Sequence, residues 1–282
     1  MANLTFSGHD TFHCRHFWLK KGYDLTAQNK PFNDDAVLNL GVGRNMVTAI
    51  RYWLRAFDIL NESDELNDLA KKIFDDKGWD PFLEDEGTLW LLHYQLAKKQ
   101  HASIYNIIFS ELRKFRPEFT LKHFLDFIDR EKGEFNQNTL KKDFQVFQRT
   151  YLATKDEKDL EESLSGLLTE LGLVREIKRE KKSYLNIENK KRPELPYQIV
   201  LFAILDNEDY GNSISFRSFY NEKNGIGNIF ALSEDGLFEK ISQITENYKD
   251  ITFVNEAGVR ELQFKSNKPA AIKILEDYYA KN

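Results

Sequence analysis

The chain has 282 residues, 41% of them hydrophobic and 13% aromatic, and a formal net charge of −5 at pH 7. This length allows two or three small domains. The negative charge excludes a uniformly basic nucleic-acid coat, so any contact with phosphate must come from local basic stripes. The single cysteine, Cys14, excludes an intramolecular disulfide and is typical of a reducing compartment. With no signal-peptide pattern and no membrane-length apolar run, we expect a cytoplasmic protein without membrane association.

The N-terminal stretch is unusually dense in side chains that can carry chemistry. On a helix, three histidines at spacings of four and three (His9, His13 and His16) would share one face. Imidazole and carboxylate groups can hold a divalent metal or act as acid and base, and a guanidinium can offset charge on a phosphorane. The alternative is local structure, in which His9 and Asp10 cap a turn and Arg15 pairs with a buried carboxylate, Glu84 or Asp85. The candidate catalytic residues are His9, Asp10, His13 and Arg15, with Mg²⁺ or Mn²⁺ as the candidate cofactor.

Residues 32–60 are predicted to form a short helix, a glycine turn at Gly41 and Gly43, and a second helix. One face of the second helix is apolar and the opposite face is basic. This pattern is typical of a helix-turn-helix, whose second helix enters a DNA groove. A core helix with a solvated charged face would give the same pattern. The predicted DNA contacts on this helix are Arg44, Asn45, Thr48, Arg51 and Arg55.

A second pattern of helix, glycine turn and basic helix lies between residues 101 and 155. Asn136 or Asn138 can cap the second of these helices, because asparagine oxygens accept hydrogen bonds from the free N–H groups of a helix start. The apolar residues of that helix recur at helical spacing, and its outer face is basic. The repetition strengthens the nucleic-acid interpretation. The predicted DNA contacts on this outer face are Lys141, Lys142 and Arg149.

Residues 156–210 are predicted to begin with a leucine-rich helix over Leu160–Leu171, which Gly172 ends. Two short strands with a basic turn follow, and a helix followed by such a hairpin is the winged-helix arrangement. The hairpin tip can then reach the phosphate backbone. The alternative is a solvated hairpin whose lysines protect an exposed strand edge. The predicted DNA contacts at this tip are Lys178, Arg179, Lys181 and Lys182.

Residues 211–282 repeat the scheme, with a helix capped by Ser233, a hairpin and a closing helix. Basic residues are fewer here, which favours a structural or partner-binding role. The sequence thus predicts a mainly α protein of several helix-turn-helix or winged-helix-like units, with short β-hairpin wings, packed into one body. The predicted segments are 1–100, 101–155, 156–210 and 211–282.

Five sequence blocks occur in a fixed order along the chain. They are SGHDTFHCRHFWLKKG, LGVGRNMVTAIRYWLRA, DPFLEDEGTLWLLHYQLA, NTLKKDFQVFQRTYL and ESLSGLLTELGLV. These blocks resemble the successive blocks of the SspB-like family, which is encoded beside the DNA phosphorothioation enzymes of bacterial and archaeal antiphage systems. The resemblance covers most of the first 175 residues. It implies a DNA-acting protein that works with a cysteine desulfurase, an ATPase and a sulfur-transfer enzyme.

Members of the SspB-like family are described as DNA nickases that open the backbone for sulfur insertion. No P-loop, dinucleotide fingerprint, nucleophile elbow or paired-cysteine zinc motif is present in the sequence. We therefore expect a DNA-binding component of a phosphorothioation-linked defence system, with nicking as its candidate activity. A non-catalytic DNA-binding adaptor for the sulfur-transfer enzymes and a winged-helix transcriptional regulator are the alternatives.

Overall fold

The computed structural model describes residues 4–153, 166–180, 182–256 and 258–281. The described part is mainly helical with small antiparallel sheets, as predicted. The chain divides into two compact units, Met1–Ile187 and Glu188–Asn282. No helix in these described ranges has both the length and the apolar character needed to cross a membrane.

The first half of unit 1 is a group of helices around the buried helix α5. The short helix, left-handed Gly41 (φ 66°) and following helix form as predicted. Asp85 caps α5 by accepting a hydrogen bond from the Thr88 N–H, and α5 is buried from Gly87 to Ala97, where most of its side chains are apolar. The helices of this half are α1 (Trp18–Ala27), α2 (Ala36–Leu40), α3 (Arg44–Ala56), α4 (Asp68–Phe74) and α5 (Glu86–Lys99).

The second half of unit 1 joins helices to a three-stranded antiparallel sheet with the strand order β1-β3-β2. Asn136 caps α9 by accepting from the N–H groups of Asn138 and Thr139. The elements are α6 (Ser103–Ile107), a π-helix (Ile108–Leu112), α7 (Arg113–Phe115), β1 (Glu118–Phe119), α8 (Leu121–Lys132), α9 (Gln137–Tyr151), a 3-10 helix (Thr169–Leu171), β2 (Arg175–Arg179) and β3 (Lys182–Asn186).

The leucine-rich helix predicted over residues 160–171 does not form at its C-terminal end. Its first part, including Leu160 and Leu164, lies outside the described residues. Leu167 donates its N–H to the Cys14 carbonyl and Leu168 donates to the Thr150 carbonyl, so both backbone groups bond to distant segments. Among the described residues of this stretch, 166–171, only the 3-10 turn Thr169–Leu171, which ends at left-handed Gly172, is helical. Tertiary hydrogen bonds therefore replace the helical bonds that the leucine spacing predicted.

Unit 2 contains a second three-stranded antiparallel sheet, with the strand order β4-β6-β5. The Ser233 hydroxyl accepts from the Gly236 N–H and caps α13, as predicted. The elements are α10 (Tyr197–Leu205), β4 (Ser213–Ser215), α11 (Phe216–Asn221), α12 (Ile226–Ile229), α13 (Glu234–Asn247), β5 (Ile251–Glu256), β6 (Val259–Phe264) and α14 (Ala271–Tyr279).

The two units repeat one order of elements. In each unit, a helical segment is followed by a short strand, then by further helices, and then by a hairpin that supplies the other two strands of the sheet. In each sheet the short first strand pairs with the last strand of the hairpin. In the described part of the chain, α9 and α13 therefore occupy equivalent places, each as the last long helix before the hairpin.

The core of unit 1 fixes α9 through its aromatic face. Phe147 and Tyr151 are fully buried and pack against Tyr105, with ring centroids 5.6 and 6.1 Å away. The Tyr151 hydroxyl bonds to His93 Nδ1 at 2.7 Å, so this buried histidine of α5 has a hydrogen-bond partner within the core. Each fully buried large side chain contributes about 1.5–3 kcal/mol. This packing leaves the opposite face of α9 at the surface.

Candidate nucleic-acid interface

The N-terminal segment, residues 4–17, follows α9 along its length. The Ser7 N–H bonds to the Asp143 carboxylate at 3.0 Å, near the middle of α9. The Thr11 carbonyl accepts a hydrogen bond from Arg149, in the last turns of the same helix. The segment predicted to carry catalysis thus lies beside a helix predicted to contact DNA.

The backbone of this segment is not helical. Ser7, Gly8, Asp10 and Thr11 have φ angles of 76°, 106°, 46° and 67°. Such left-handed angles are uncommon for residues other than glycine and are incompatible with a right-handed helix. The prediction that three histidines share one helix face is therefore wrong, because this run of residues turns the chain before α1 begins at Trp18.

Both its positive φ angle and the packing of Tyr52 against it require a glycine at position 8. A Cβ atom at this position would lie 2.7 Å from Cδ2 of Tyr52 on α3. Real Cβ atoms do not approach another carbon so closely, so a side chain here would displace the tyrosine ring or the segment. The absence of a side chain at Gly8 therefore allows the N-terminal segment to pack closely against α3.

His9 is buried and both of its ring nitrogens are engaged. The Thr11 N–H donates to Nδ1 at 3.1 Å, so the ring hydrogen of neutral His9 is on Nε2. Nε2 then donates to Asp143 Oδ1 at 3.0 Å. The ring also stacks on Trp53, with centroids 6.1 Å apart and planes 15° from parallel. This arrangement fixes both the tautomer and the orientation of the imidazole.

Asp143 is the residue of this site that sequence reasoning missed. Its side chain is 1% exposed, and its oxygens accept from the Ser7 N–H and from His9. Hydrogen bonds of this kind are what allow a carboxylate to be buried. The available signal was its position within the apolar stripe of α9, between Leu140 and Phe147. Burial raises the pKa of nearby Tyr52 well above its usual value, and the charge of Asp143 raises this pKa further.

The other predicted catalytic residues have different surroundings. Asp10 is exposed, His13 is buried, and the Arg15 guanidinium lies over the Trp18 ring, 5.4 Å from its centroid. The structure therefore brings His9 to Asp143 but does not direct Asp10 and Arg15 to that pair. Across the described ranges no group of three or more His, Cys, Asp or Glu side chains could hold a metal ion.

On α3, two of the predicted DNA-binding arginines share one carboxylate. Arg51 Nε donates to Asp64 Oδ1 at 3.1 Å, and Arg55 Nε donates to the same oxygen at 3.0 Å. Arg55 also donates to the carbonyl of Glu62 at 3.0 Å. Both guanidinium groups therefore hold the loop between α3 and α4. The remaining predicted residues of this helix are exposed: Arg44, Asn45 and Thr48. Arg44 forms an ion pair with Asp34.

The outer face of α9 is polar and basic. Lys141, Lys142 and Gln145 are exposed, and Arg149 is half-buried. Arg149 Nε also donates to the Gln145 carbonyl at 3.4 Å, so its side chain lies back along the helix. This face therefore carries all three of the residues predicted on α9.

The β2–β3 hairpin continues the basic character of unit 1. Lys178, Arg179 and Lys182 are exposed. Arg179 pairs with Glu118 of β1 at 2.7 Å, which reduces its availability to an external phosphate. Lys181 lies outside the described residues. Of the predicted tip residues that the structure describes, Lys178 and Lys182 are therefore better placed than Arg179 to bind a ligand.

The equivalent helix of unit 2 has the opposite charge. Its exposed acidic residues are Glu234, Asp235, Glu239 and Glu246. Among them lies Phe238, which is 37% exposed and packs edge-on against Phe253 of β5, with centroids 5.8 Å apart. Two of these acids are paired, Glu234 with Arg260 and Glu239 with Lys191, so the face attracts phosphate less than the α9 face does without being uniformly acidic.

Comparison with known proteins identifies the family. Two solved structures are similar: an SspB crystal structure (TM-score 0.85) and a magnesium ion-bound SspB crystal structure (TM-score 0.83), each 28% identical and covering 99% of this chain and 88% of the solved chain. They confirm the resemblance predicted from the five sequence blocks. No curated protein matches. The sequence model of DUF4007, described as a protein of unknown function, matches residues 6–279. The chain therefore belongs to the DUF4007 family.

Proposed function

We propose that this protein binds DNA through α9 and the β2–β3 hairpin. The observation that carries the proposal is the basic outer face of α9, which is followed in the same unit by a basic hairpin. The order of helices, short strand and hairpin supports a winged-helix arrangement, in which α9 is the recognition helix. The α3 residues Arg44, Asn45 and Thr48 are further candidate contacts.

Charge distinguishes α9 from its counterpart in unit 2. Helix α9 carries three basic residues and one buried acid, whereas α13 carries four acids and the buried Lys240. Duplex DNA has a phosphate charge about every 1.7 Å along its axis, so a helix in its groove must be neutral or basic. The proposal therefore assigns DNA to unit 1 and a protein partner to the α13 face.

Similarity to SspB supports a role in a DNA phosphorothioation-linked antiphage system. The identity of 28% extends over 99% of the chain, so it includes both units. The proposed partners are the cysteine desulfurase, the ATPase and the sulfur-transfer enzyme of the same system. A surface that does not itself attract DNA suits such proteins, because they must reach the bound DNA without competing for α9.

DNA nicking is the second candidate function, favoured by similarity to a structure described as magnesium ion-bound. The described residues do not fit a preformed metal site in the N-terminal segment, because both ring nitrogens of His9 are engaged and Asp143 is satisfied. Asp10 is the exposed carboxylate there. Magnesium is commonly held by one or two carboxylates together with substrate phosphates. The candidate cofactor for nicking is therefore Mg²⁺ or Mn²⁺ that binds together with the DNA.

The proposal is tested by fluorescence anisotropy with a labelled duplex over a series of salt concentrations. The double variant Lys141→Ala/Lys142→Ala should bind more weakly, and the slope of log K against log salt should fall by about 0.9 for each phosphate that the protein no longer neutralises. The control is Lys249→Ala/Lys273→Ala, which removes the same charge from exposed positions of unit 2. Equal binding by both double variants would contradict the assignment to α9.

Nicking is tested separately by relaxation of supercoiled plasmid with Mg²⁺ or Mn²⁺, against a chelator control. The variants Asp10→Asn and His13→Ala should abolish relaxation while retaining DNA affinity if the N-terminal segment is catalytic. DNA binding without relaxation by the purified wild type would favour the adaptor.

A further inference from the structure

We propose that His9 and Asp143 are positioning residues for Arg149, and that the N-terminal segment sets how this arginine is presented to DNA. The inference rests on the proposed DNA contact of α9. It goes beyond that contact because neither His9 nor Asp143 is exposed enough to touch a duplex. Both act through a chain of hydrogen bonds that starts and ends on the same helix.

The chain of bonds has four members and three links. Asp143 accepts from His9 Nε2 at 3.0 Å, and His9 Nδ1 accepts from the Thr11 N–H at 3.1 Å. The carbonyl of Thr11 then accepts from Arg149 Nη2. The N-terminal segment therefore bridges two positions of α9, one buried and one at the surface.

Each link has a fixed direction. The carboxylate can only accept, so His9 must donate from Nε2, and Nδ1 is then left to accept from Thr11. An alternative tautomer would set two N–H groups against each other at Thr11 and leave Nε2 without a hydrogen for Asp143. The direction of the chain is thus decided by the buried charge of Asp143.

Packing holds the segment that carries this chain. The His9 ring stacks on Trp53, and Trp53 Nε1 donates to the Phe12 carbonyl at 3.0 Å. Gly8 lies against Tyr52, with no room for a side chain. The Thr11 carbonyl is therefore a fixed acceptor, and together with the Gln145 carbonyl it restricts the Arg149 guanidinium. A pre-ordered side chain loses less entropy when it binds a phosphate.

The inference is tested by a double-mutant cycle on duplex affinity with His9→Ala, Arg149→Ala and the combined variant. If His9 acts through Arg149, each single variant should lose about three- to tenfold in affinity, and the combined variant should bind no more weakly than Arg149→Ala. His9→Ala should also lower the salt slope by about 0.9, the change expected when one phosphate is no longer neutralised. If His9→Ala only unfolded part of the protein, the apparent affinity would fall but the salt slope would not change.

His9→Gln provides a milder variant if His9→Ala does not fold. The glutamine amide can still donate to Asp143, but the ring nitrogen that accepts from Thr11 is gone. We expect a normal melting temperature together with the lower salt slope. Additive losses in the cycle, or an unchanged slope in folded His9→Gln, would overturn the positioning role.

Two results separate this inference from the proposed function. If Lys141→Ala/Lys142→Ala weakens binding while His9 and Arg149 act additively, the DNA interface stands and only the positioning role is wrong. If Lys141→Ala/Lys142→Ala and Arg149→Ala all leave affinity unchanged, α9 does not contact DNA and both proposals are wrong.

Discussion

Asp64 provides a test of whether the arginines of α3 serve the fold or DNA. Its carboxylate accepts from Arg51 and from Arg55, and its own backbone is left-handed with φ 62°. Asp64→Asn keeps the shape of the side chain and removes its charge. The substitution therefore weakens both pairs without creating a cavity.

The expected loss of stability follows from the exposure of the three side chains. Asp64 is 27% exposed and Arg55 22%, whereas Arg51 is 42% exposed. Exposed ion pairs contribute about 0–1 kcal/mol and charge-assisted hydrogen bonds about 1.5–3 kcal/mol. Discounting the more exposed Arg51 for solvent screening, we expect Asp64→Asn to lower the free energy of unfolding by about 1–2 kcal/mol. For a unit of this size the melting temperature should fall by roughly 3–6 °C.

The same pairs predict a pH dependence. Burial raises the pKa of Asp64, but the hydrogen bonds and charges of Arg51 and Arg55 lower it, and the result is a pKa below the usual value. A carboxyl whose pKa is lower in the folded state stabilises the protein above its unfolded pKa of about 3.9. This stabilisation is lost as the pH falls through the lower folded value. Between roughly pH 5 and pH 3, the wild type should therefore lose more stability than Asp64→Asn.

Urea denaturation followed by circular dichroism measures the stability, and duplex anisotropy measures DNA affinity. We expect Asp64→Asn to be less stable and to bind DNA as the wild type does. If the arginines were chiefly DNA ligands, removing their carboxylate would free two guanidinium groups, tighten DNA binding and steepen its salt dependence. Tighter binding with unchanged stability would refute the structural interpretation of Arg51 and Arg55.

Three further substitutions test other contacts. Gly8→Ala should lower the free energy of unfolding by about 1–3 kcal/mol in urea denaturation, because the left-handed φ and the Tyr52 ring both oppose a Cβ atom. Tyr52→Phe should keep or raise the stability by up to about 1 kcal/mol in the same assay, since the buried hydroxyl has no hydrogen-bond partner among the described residues. Phe238→Asp should retain DNA affinity and weaken binding of the purified cysteine desulfurase, ATPase or sulfur-transfer enzyme in calorimetric titration. Unchanged binding of all three proteins would contradict the proposal that the α13 face binds a protein partner.

Helix limits could be predicted where local chemistry decides them. Asn136 and Ser233 cap α9 and α13 with their own side-chain oxygens, as their positions before apolar runs indicated. The helix Tyr197–Leu205 begins directly after Pro196, which has an extended backbone. A proline is tolerated at a helix start because the N–H that it lacks would have no partner within the helix. In these cases the cause lies within a few residues of the effect.

The candidate site depends on contacts between distant parts of the chain, so sequence spacing alone could not assemble it. His9 and Asp143 are 134 positions apart, and neither local pattern specifies the other. The arginines of α3 looked available because their helix face is basic, but the loop that carries Asp64 folds back onto them. The one usable signal was Asp143 itself, since an acid within an apolar stripe requires buried partners.

The repeated topology and its opposite charges support the proposed division of labour between the units. Two helices in equivalent places would be expected to share a role if only the fold mattered, yet function depends on the side chains that a fold presents. The α9 face carries Lys141 and Lys142, whereas the α13 face carries acids around Phe238. Phosphate is attracted more strongly to the first face than to the second, where Arg260 and Lys191 pair with two of the acids. Under the proposed function, one unit can therefore hold DNA while its repeat remains available to the proteins that act on that DNA.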